Sequence, residues 1–243
     1  DEVMIALITH EKEIENINEI VSKLINRYPQ IKSIIHNIND KGNNVILGNK
    51  YNVLYGEDSI IDRLNGLDFL ISHKSFFQIN RIQTEKLYTR ALDYLNPQKD
   101  EMIIDGYCGV GTIALFIAKH CKHVYGIETV NEAIENAKVN AEINKIDNVS
   151  FIVGNVEDEI DGLLENGINA IVFDPPRKGI DEVVLRKTME AKINKIVYVS
   201  CNVATLARDL SILNEQYFIK KMTLVDMFPQ TAAVEAVCLL ERK

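Results

Sequence analysis

From residue 101 onward the chain repeats one pattern, a short apolar run, a turn and then a helix-period segment, and this constrains the fold more than any other feature. Strands are expected at Met102–Ile104, His123–Ile127, Val149–Val153, Ala170–Phe173 and Ile196–Val199. Helices are expected between and after them, over 112–121, 131–144, 156–165, 182–190 and 203–213. Strands that alternate with helices build a parallel, doubly wound sheet whose ligands bind at the carboxyl ends of the strands. Two further runs, Phe218–Val225 and Val234–Leu240, follow without an intervening helix and predict an antiparallel edge.

The preceding residues read differently. Residues 1–75 form a small α+β domain, and 76–243 the larger one. The first has strand-like runs at Val3–Ile8, Ile31–Ile38, Asn44–Leu47, Tyr51–Tyr55 and Leu67–Ser72, and a helical face over 12–27. A helix from Ile82 to Leu95, stopped near Pro97, leads into the alternating part. The chain starts at Asp1 within a strand pattern, as a fragment of a longer protein would.

Composition narrows the setting. The longest apolar runs, such as Ile113–Ala118, are too short to span a bilayer, so no membrane partner is expected. Cys108, Cys121, Cys201 and Cys238 form no CxxC pair and no zinc-ligand spacing, which predicts free thiols, no metal and a cytoplasmic location. The net charge of −8 runs against a phosphate-binding surface. Either the basic residues cluster on one face, or a basic part lies outside this chain.

Candidate site residues stand where the strands end. Asp105-Gly106-Tyr107-Cys108-Gly109-Val110-Gly111-Thr112 joins the first of these strands to its helix; glycines there let backbone approach a ligand, and the helix N-terminus offers free N–H groups. The full dinucleotide spacing G-x-G-x-x-G is missing. Glu128, ending the next strand, can accept bonds from two ribose hydroxyls. Gly154-Asn155-Val156-Glu157 follows the third strand and can hold an adenine edge. Together they favour a nucleoside cofactor, S-adenosylmethionine over NAD. Asp174-Pro175-Pro176-Arg177 makes a stiff strand-end loop, and Arg177 replaces the aromatic residue that amino-group methyltransferases carry after the prolines.

Ser200-Cys201-Asn202 ends the fifth strand. Cys201 reads either as a small packed hydrophobe or as a thiolate whose pKa the following helix lowers. A thiolate at this mouth would suit attack on carbon 6 of uracil, which makes carbon 5 nucleophilic toward a methyl sulfonium. A base must then take the carbon-5 proton. Glu235, in an otherwise apolar run, is either that base or an outward-facing residue of an edge strand. Cys108, Cys121 and Cys238 are expected only to pack.

Taken together, Phe76-Phe77-Gln78-Ile79-Asn80, the Asp105–Gly111 turn, Asp174-Pro175-Pro176-Arg177, Ser200-Cys201-Asn202 and Pro229–Glu235 closely resemble the RNA uracil-5-methyltransferase family, which modifies ribosomal and transfer RNA. The resemblance covers residues 75–243, and residues 1–75 look like that family's central domain. It implies an α/β class I S-adenosylmethionine methyltransferase fold: Rossmann-like, with a mostly parallel seven-stranded sheet. It also implies S-adenosyl-L-methionine as cofactor and RNA as partner, with 23S ribosomal RNA ranked ahead of transfer RNA. Gln78, Tyr107, Thr112, Glu128, Asn155 and Asp174 would line the cofactor and target-base pocket, Cys201 would be the nucleophile and Glu235 the base. This chain departs from the family by carrying Ala233 where a His usually precedes the Glu by two residues. The family's basic β-barrel and iron–sulfur cysteines do not appear either; no cysteine precedes Cys108. Two other readings are an RNA cytosine-5-methyltransferase, whose Cys directly follows a Pro in the fourth-strand motif, and a non-catalytic cofactor- or RNA-binding module.

Overall fold

A computed structural model describes residues 2–40, 45–75 and 77–243. The chain divides into two compact units, Asp1–Phe76 and Phe77–Lys243.

In the first unit β1 (Val3–Thr9) runs parallel to β2 (Ile31–Ile38), which pairs antiparallel with β3 (Lys50–Gly56). Helix α1 (Ile17–Arg27) packs Ile17, Val21, Leu24 and Ile25 on Ile31 and Ile34. The helix expected over 12–27 begins only at Ile17, because Asn16 takes a left-handed conformation (φ 54°) and its carbonyl receives the Glu19 and Ile20 N–H groups. No strand forms at Val45–Leu47: Val45 and Ile46 are exposed, and Asn39 Nδ2 donates to both their carbonyls. Asn44, expected to start that strand, and Phe76, from the Phe-Phe-Gln motif, lie outside the described residues. A strand absent from the sequence reading, β4 (Ser59–Leu64), pairs with β5 (Leu67–Ser72). Its turn is Asn65-Gly66, both at positive φ, the pair that a two-residue hairpin of this hand demands.

The second unit opens with α2 (Arg81–Leu95). Its sheet comprises β6 (Met102–Gly106), β7 (His123–Glu128), β8 (Val149–Val153), β9 (Ala170–Phe173), β10 (Lys195–Ser200), β11 (Tyr217–Val225) and β12 (Glu235–Arg242), in the order β11-β12-β10-β9-β6-β7-β8. Between them run α3 (Thr112–Ala118), α4 (Asn131–Ile143), α5 (Val156–Leu164), α6 (Glu182–Glu190) and α7 (Val203–Leu213). The antiparallel edge expected at the C-terminus takes another form. Only β12 is reversed, and it lies inside the sheet between β10 and β11, while the edge strand β11 runs with the majority. The helix expected over 112–121 closes at Ala118.

Side chains alternate across a strand, so parity fixes which face each residue meets. Ile104, Ile127, Ile171, Phe173, Ile196, Tyr198, Ala236 and Cys238 share one buried cluster with Val156, Ile160, Val184, Leu185, Leu206 and Leu210 of α5, α6 and α7. Residues one step out of phase, including Ile103, Val172, Val197, Val199 and Val237, therefore face the other side, where α2 lies against β10 and β12 and α3 against β7. Among the described residues no helix is long and apolar enough to cross a membrane.

Candidate active site

The register of three adjacent strands builds the site. Tyr198 stands beside Phe173 in the β9–β10 ladder, and Ser200 beside Ala236 in the β10–β12 ladder. One step past each strand end come Asp174 and Cys201, and Glu235 opens the reversed strand at the same edge. All three have the parity of the α2–α3 face, as does Asp105 one strand further on. The outward-facing reading of Glu235 is thereby excluded: it is 3% exposed, with strands on both sides of its own.

Burial dominates the electrostatics. It pushes the Glu235 carboxyl up, with Arg177 opposing. Asp174 is pushed up to about 7, by burial and then by Glu235. The lowered thiol expected for Cys201 is not found. Burial, and then Glu235 and Asp174, raise it; Arg177 is the one side chain among the charges acting on it that pulls it down. Cys201 stands one residue before the α7 cap Asn202, outside the helix itself. Cys201 is nevertheless half-buried, while Cys108, Cys121 and Cys238 are buried, each with its thiol raised chiefly by burial.

The glycine turn has two functions. Gly111 (φ 82°) and Gly106 have no room for a Cβ, but the obstacles are the rings of Phe151 and Phe173, so packing within the protein requires these glycines. Gly109 (φ 54°) instead borders open space. Tyr107 is held at φ 70°, a strained value for a non-glycine residue, and its ring packs toward Phe173, 6.3 Å between centroids. Glu128 binds the turn directly: Gly109 N donates to its Oε2 (3.2 Å), and Val130 N (2.9 Å) and Thr129 Oγ1 (3.0 Å) to its Oε1. Asn155 is exposed at the start of α5, its Nδ2 donating to Asp158.

Three features are absent from the sequence reading. Both Asp105 carboxylate oxygens are buried with no hydrogen bond of ordinary geometry among the described residues; burial followed by Asp174 raises that carboxyl well above its ordinary range, and the Ala114 backbone N–H offsets this only in part. Tyr88 of α2 is buried facing Asp174, Asp105 and Glu235, and interacts with the Thr112 side chain. Asn80 caps α2 by accepting from Gln83 N (3.2 Å), while its Nδ2 donates to the Met227 carbonyl (3.0 Å), tying the segment that carries half-buried Gln78 to the loop leading into Glu235. An open groove lined by Ile79, Arg81, Ile82, Met227, Phe228 and Pro229 runs beside this tie. A tyrosine on an apolar helix face carries no sequence signal of its own, whereas an Asn one residue before a helix-period run does.

Comparison with known proteins places the chain. Solved structures at low identity share its fold: a tRNA m1G37 methyltransferase of Methanocaldococcus jannaschii superposes with a TM-score of 0.62 at 15% identity, over 100% of this chain and 74% of that one. The fold is that of a class I methyltransferase. Closer is the tRNA (uracil-54, C5)-methyltransferase of Pyrococcus abyssi, solved in complex with S-adenosyl-L-homocysteine, with a TM-score of 0.82 and 32% identity over 99% of this chain and 56% of that one. An uncharacterized RNA methyltransferase of Oceanobacillus iheyensis is 49% identical over 245 residues, and one of Clostridium acetobutylicum 47% over 244. They align with 100% and 99% of this chain, which spans only 53% of either relative's length. Residues 1–243 match the family described as tRNA (Uracil-5-)-methyltransferase, and the chain belongs to that family.

Proposed function

We propose that this chain carries the catalytic part of an S-adenosylmethionine-dependent RNA methyltransferase that methylates carbon 5 of a uridine through a covalent bond from Cys201 to carbon 6. The observation that carries this reading is the meeting of Cys201, Glu235 and Asp174 on three neighbouring strands at one edge of one face.

The residues present fit the cofactor. A buried carboxylate without well-formed hydrogen bonds is costly alone and suited to a cationic ligand, and Asp105 is such a group. Glu128, at the adjacent strand end, would accept from the ribose hydroxyls. Bound here, S-adenosylmethionine would supply a methyl group on a sulfonium. Gln78, Tyr107, Thr112, Asn155 and Asp174 would line the cofactor and base pocket.

The chain's own residues would perform the rest. Cys201 Sγ adds to carbon 6 of the base, and the electron pair displaced from the 5,6 double bond makes carbon 5 the nucleophile. After methylation Glu235 takes the carbon-5 proton; the double bond re-forms and the carbon–sulfur bond breaks, returning the pair to sulfur. A carboxyl raised by burial is a stronger base than a solvated one once ionised.

For the target, the resemblance points to 23S ribosomal RNA, whereas the descriptions of the family and of the Pyrococcus enzyme name tRNA. Methyl transfer to unmodified rRNA and tRNA, with the product nucleoside identified by mass spectrometry, tests the reading and separates the two targets. 5-Methylcytidine as product, or none from either RNA with the full-length protein, would overturn it.

A further inference from the structure

The site places its nucleophile in an unfavourable field. Two carboxylates and burial oppose ionisation of Cys201, and the charged groups facing it are Glu235 from β12, Asp174 from the end of β9, and Arg177 from the loop that follows. The Arg177 side chain is exposed and makes no ion pair within 4.0 Å among the described residues, and its charge acts on both Cys201 and Glu235.

That loop is fastened to the helix Cys201 introduces. Asn202 Nδ2 and Thr205 Oγ1 both donate to the Arg177 carbonyl, at 3.0 and 3.2 Å. One turn further along α7, Arg208 donates to the Lys178 and Ile180 carbonyls, and buried Asp209 accepts from Ile180 N (2.9 Å) and from Tyr198 Oη (2.7 Å) on β10. Residues 202, 205 and 209 share one face of the helix. Gly179 (φ 80°) lets the backbone close onto it, since a Cβ there would meet Arg208, Asp209 and Thr205.

We propose that Arg177 is the cation that stabilises the Cys201 thiolate, and that the Asn202–Thr205–Asp209 face of α7 is the template that holds it there. The Sγ proton passes to solvent on the open side of Cys201 and the sulfur keeps the electron pair; Arg177 exchanges no proton. Arg177 is thus a positioning residue for charge, acting through Cys201. Its catalytic meaning rests on the methyltransferase reading, but the ionisation of Cys201 does not.

Alkylation of the 243-residue chain by iodoacetamide, with neither cofactor nor RNA, tests this. Mass spectrometry assigns the label, and the rate is followed across the thiol's titration. In Arg177→Gln the midpoint should move to higher pH and the neutral-pH rate should fall about three- to tenfold, tenfold being one pKa unit. Arg177→Lys keeps the charge and should recover most of the rate. Thr205→Val, which removes one of the loop's ties to α7 while leaving the charge, should move the midpoint part of the way. High salt should narrow the difference between wild type and Arg177→Gln, since the cation is exposed. An unchanged midpoint in folded Arg177→Gln, or a Lys variant no better than Gln, overturns the proposal. Shifted alkylation without methyl transfer by any full-length form would leave it standing and remove the methyltransferase reading instead.

Discussion

Ser200 stands opposite Ala236 in the ladder joining β10 to the reversed strand β12, so the next residue out from each, Cys201 and Glu235, meet at one edge of the sheet. A parallel neighbour could not do this with the same residues. Its first residue would lie at the far end, and Glu235 enters the site because it begins a strand running the other way.

The roles proposed for the pair separate in two variants. Cys201→Ala should give neither methylated RNA nor a covalent adduct. Glu235→Gln retains the nucleophile but lacks the base, so a methylated RNA–protein adduct should accumulate and survive a denaturing gel. RNA carrying 5-fluorouridine should trap the unaltered protein likewise, because fluorine cannot leave as a cation. A cross-link mapped to Cys108, or turnover by Cys201→Ala, would reject these assignments.

Glu128 receives three donors, Gly109 N from the glycine turn and Val130 N and Thr129 Oγ1 from the loop that follows it. Glu128→Ala should weaken S-adenosylmethionine binding by about 1.5–3 kcal/mol, the scale of one charge-assisted hydrogen bond. Calorimetry checks it, and an unchanged Kd would mean that the carboxylate only orders the turn.

Asp174 gives a pH signature. Its folded pKa, pushed up to about 7, lies above the ordinary carboxylate value, so the folded state holds a proton that the unfolded chain releases first. The associated stability is present at acid pH and lost as pH rises through about 7; raised Asp105 and Glu235 act in the same direction. Asp174→Asn should therefore melt higher than the unaltered chain at alkaline pH, with the difference shrinking toward acid pH. Thermal melts at several pH values measure this, and a gap that grows on acidification would contradict the assigned sign.

Asn80 acts through position. Asn80→Ala removes a helix cap and the bond to the Met227 carbonyl, and should cost roughly 1–2 kcal/mol of stability in denaturant melts. Asn80→Asp keeps the cap but cannot donate to Met227; it should restore much of the stability while leaving any methylation slow. Equal recovery of both would show that the tie to Met227 does not matter.

RNA affinity should expose how little phosphate contact this chain makes. With a net charge of −8, it should bind RNA weakly and with a shallow dependence on salt. Tight binding that falls steeply as salt rises would locate a basic face within these residues.

Periodicity in the sequence was enough for the strand and helix alternation after residue 101, since a buried parallel strand and its helix each leave a local apolar pattern. Strands β8 and β9 and helix α7 begin and end where that pattern does. The missed hairpin strand β4 was also written locally, in Asn65-Gly66. The motif residues could be named for the same reason: strand ends carry their punctuation beside them. Other features depend on partners distant in the chain. The place of β12 between β10 and β11 is a matter of pairing order, and with α2 packed on β12 it turns Glu235 from an edge residue into a buried one. The rise in the Cys201 thiol comes from burial and then from carboxylates 34 residues after it and 27 before it in sequence. The poorly bonded Asp105 oxygens and the buried Tyr88 hydroxyl follow from what α2 and α3 cover. Local pattern determined which elements form and where their reactive residues stand; packing decided which of those residues share a face, and how strongly each holds its proton.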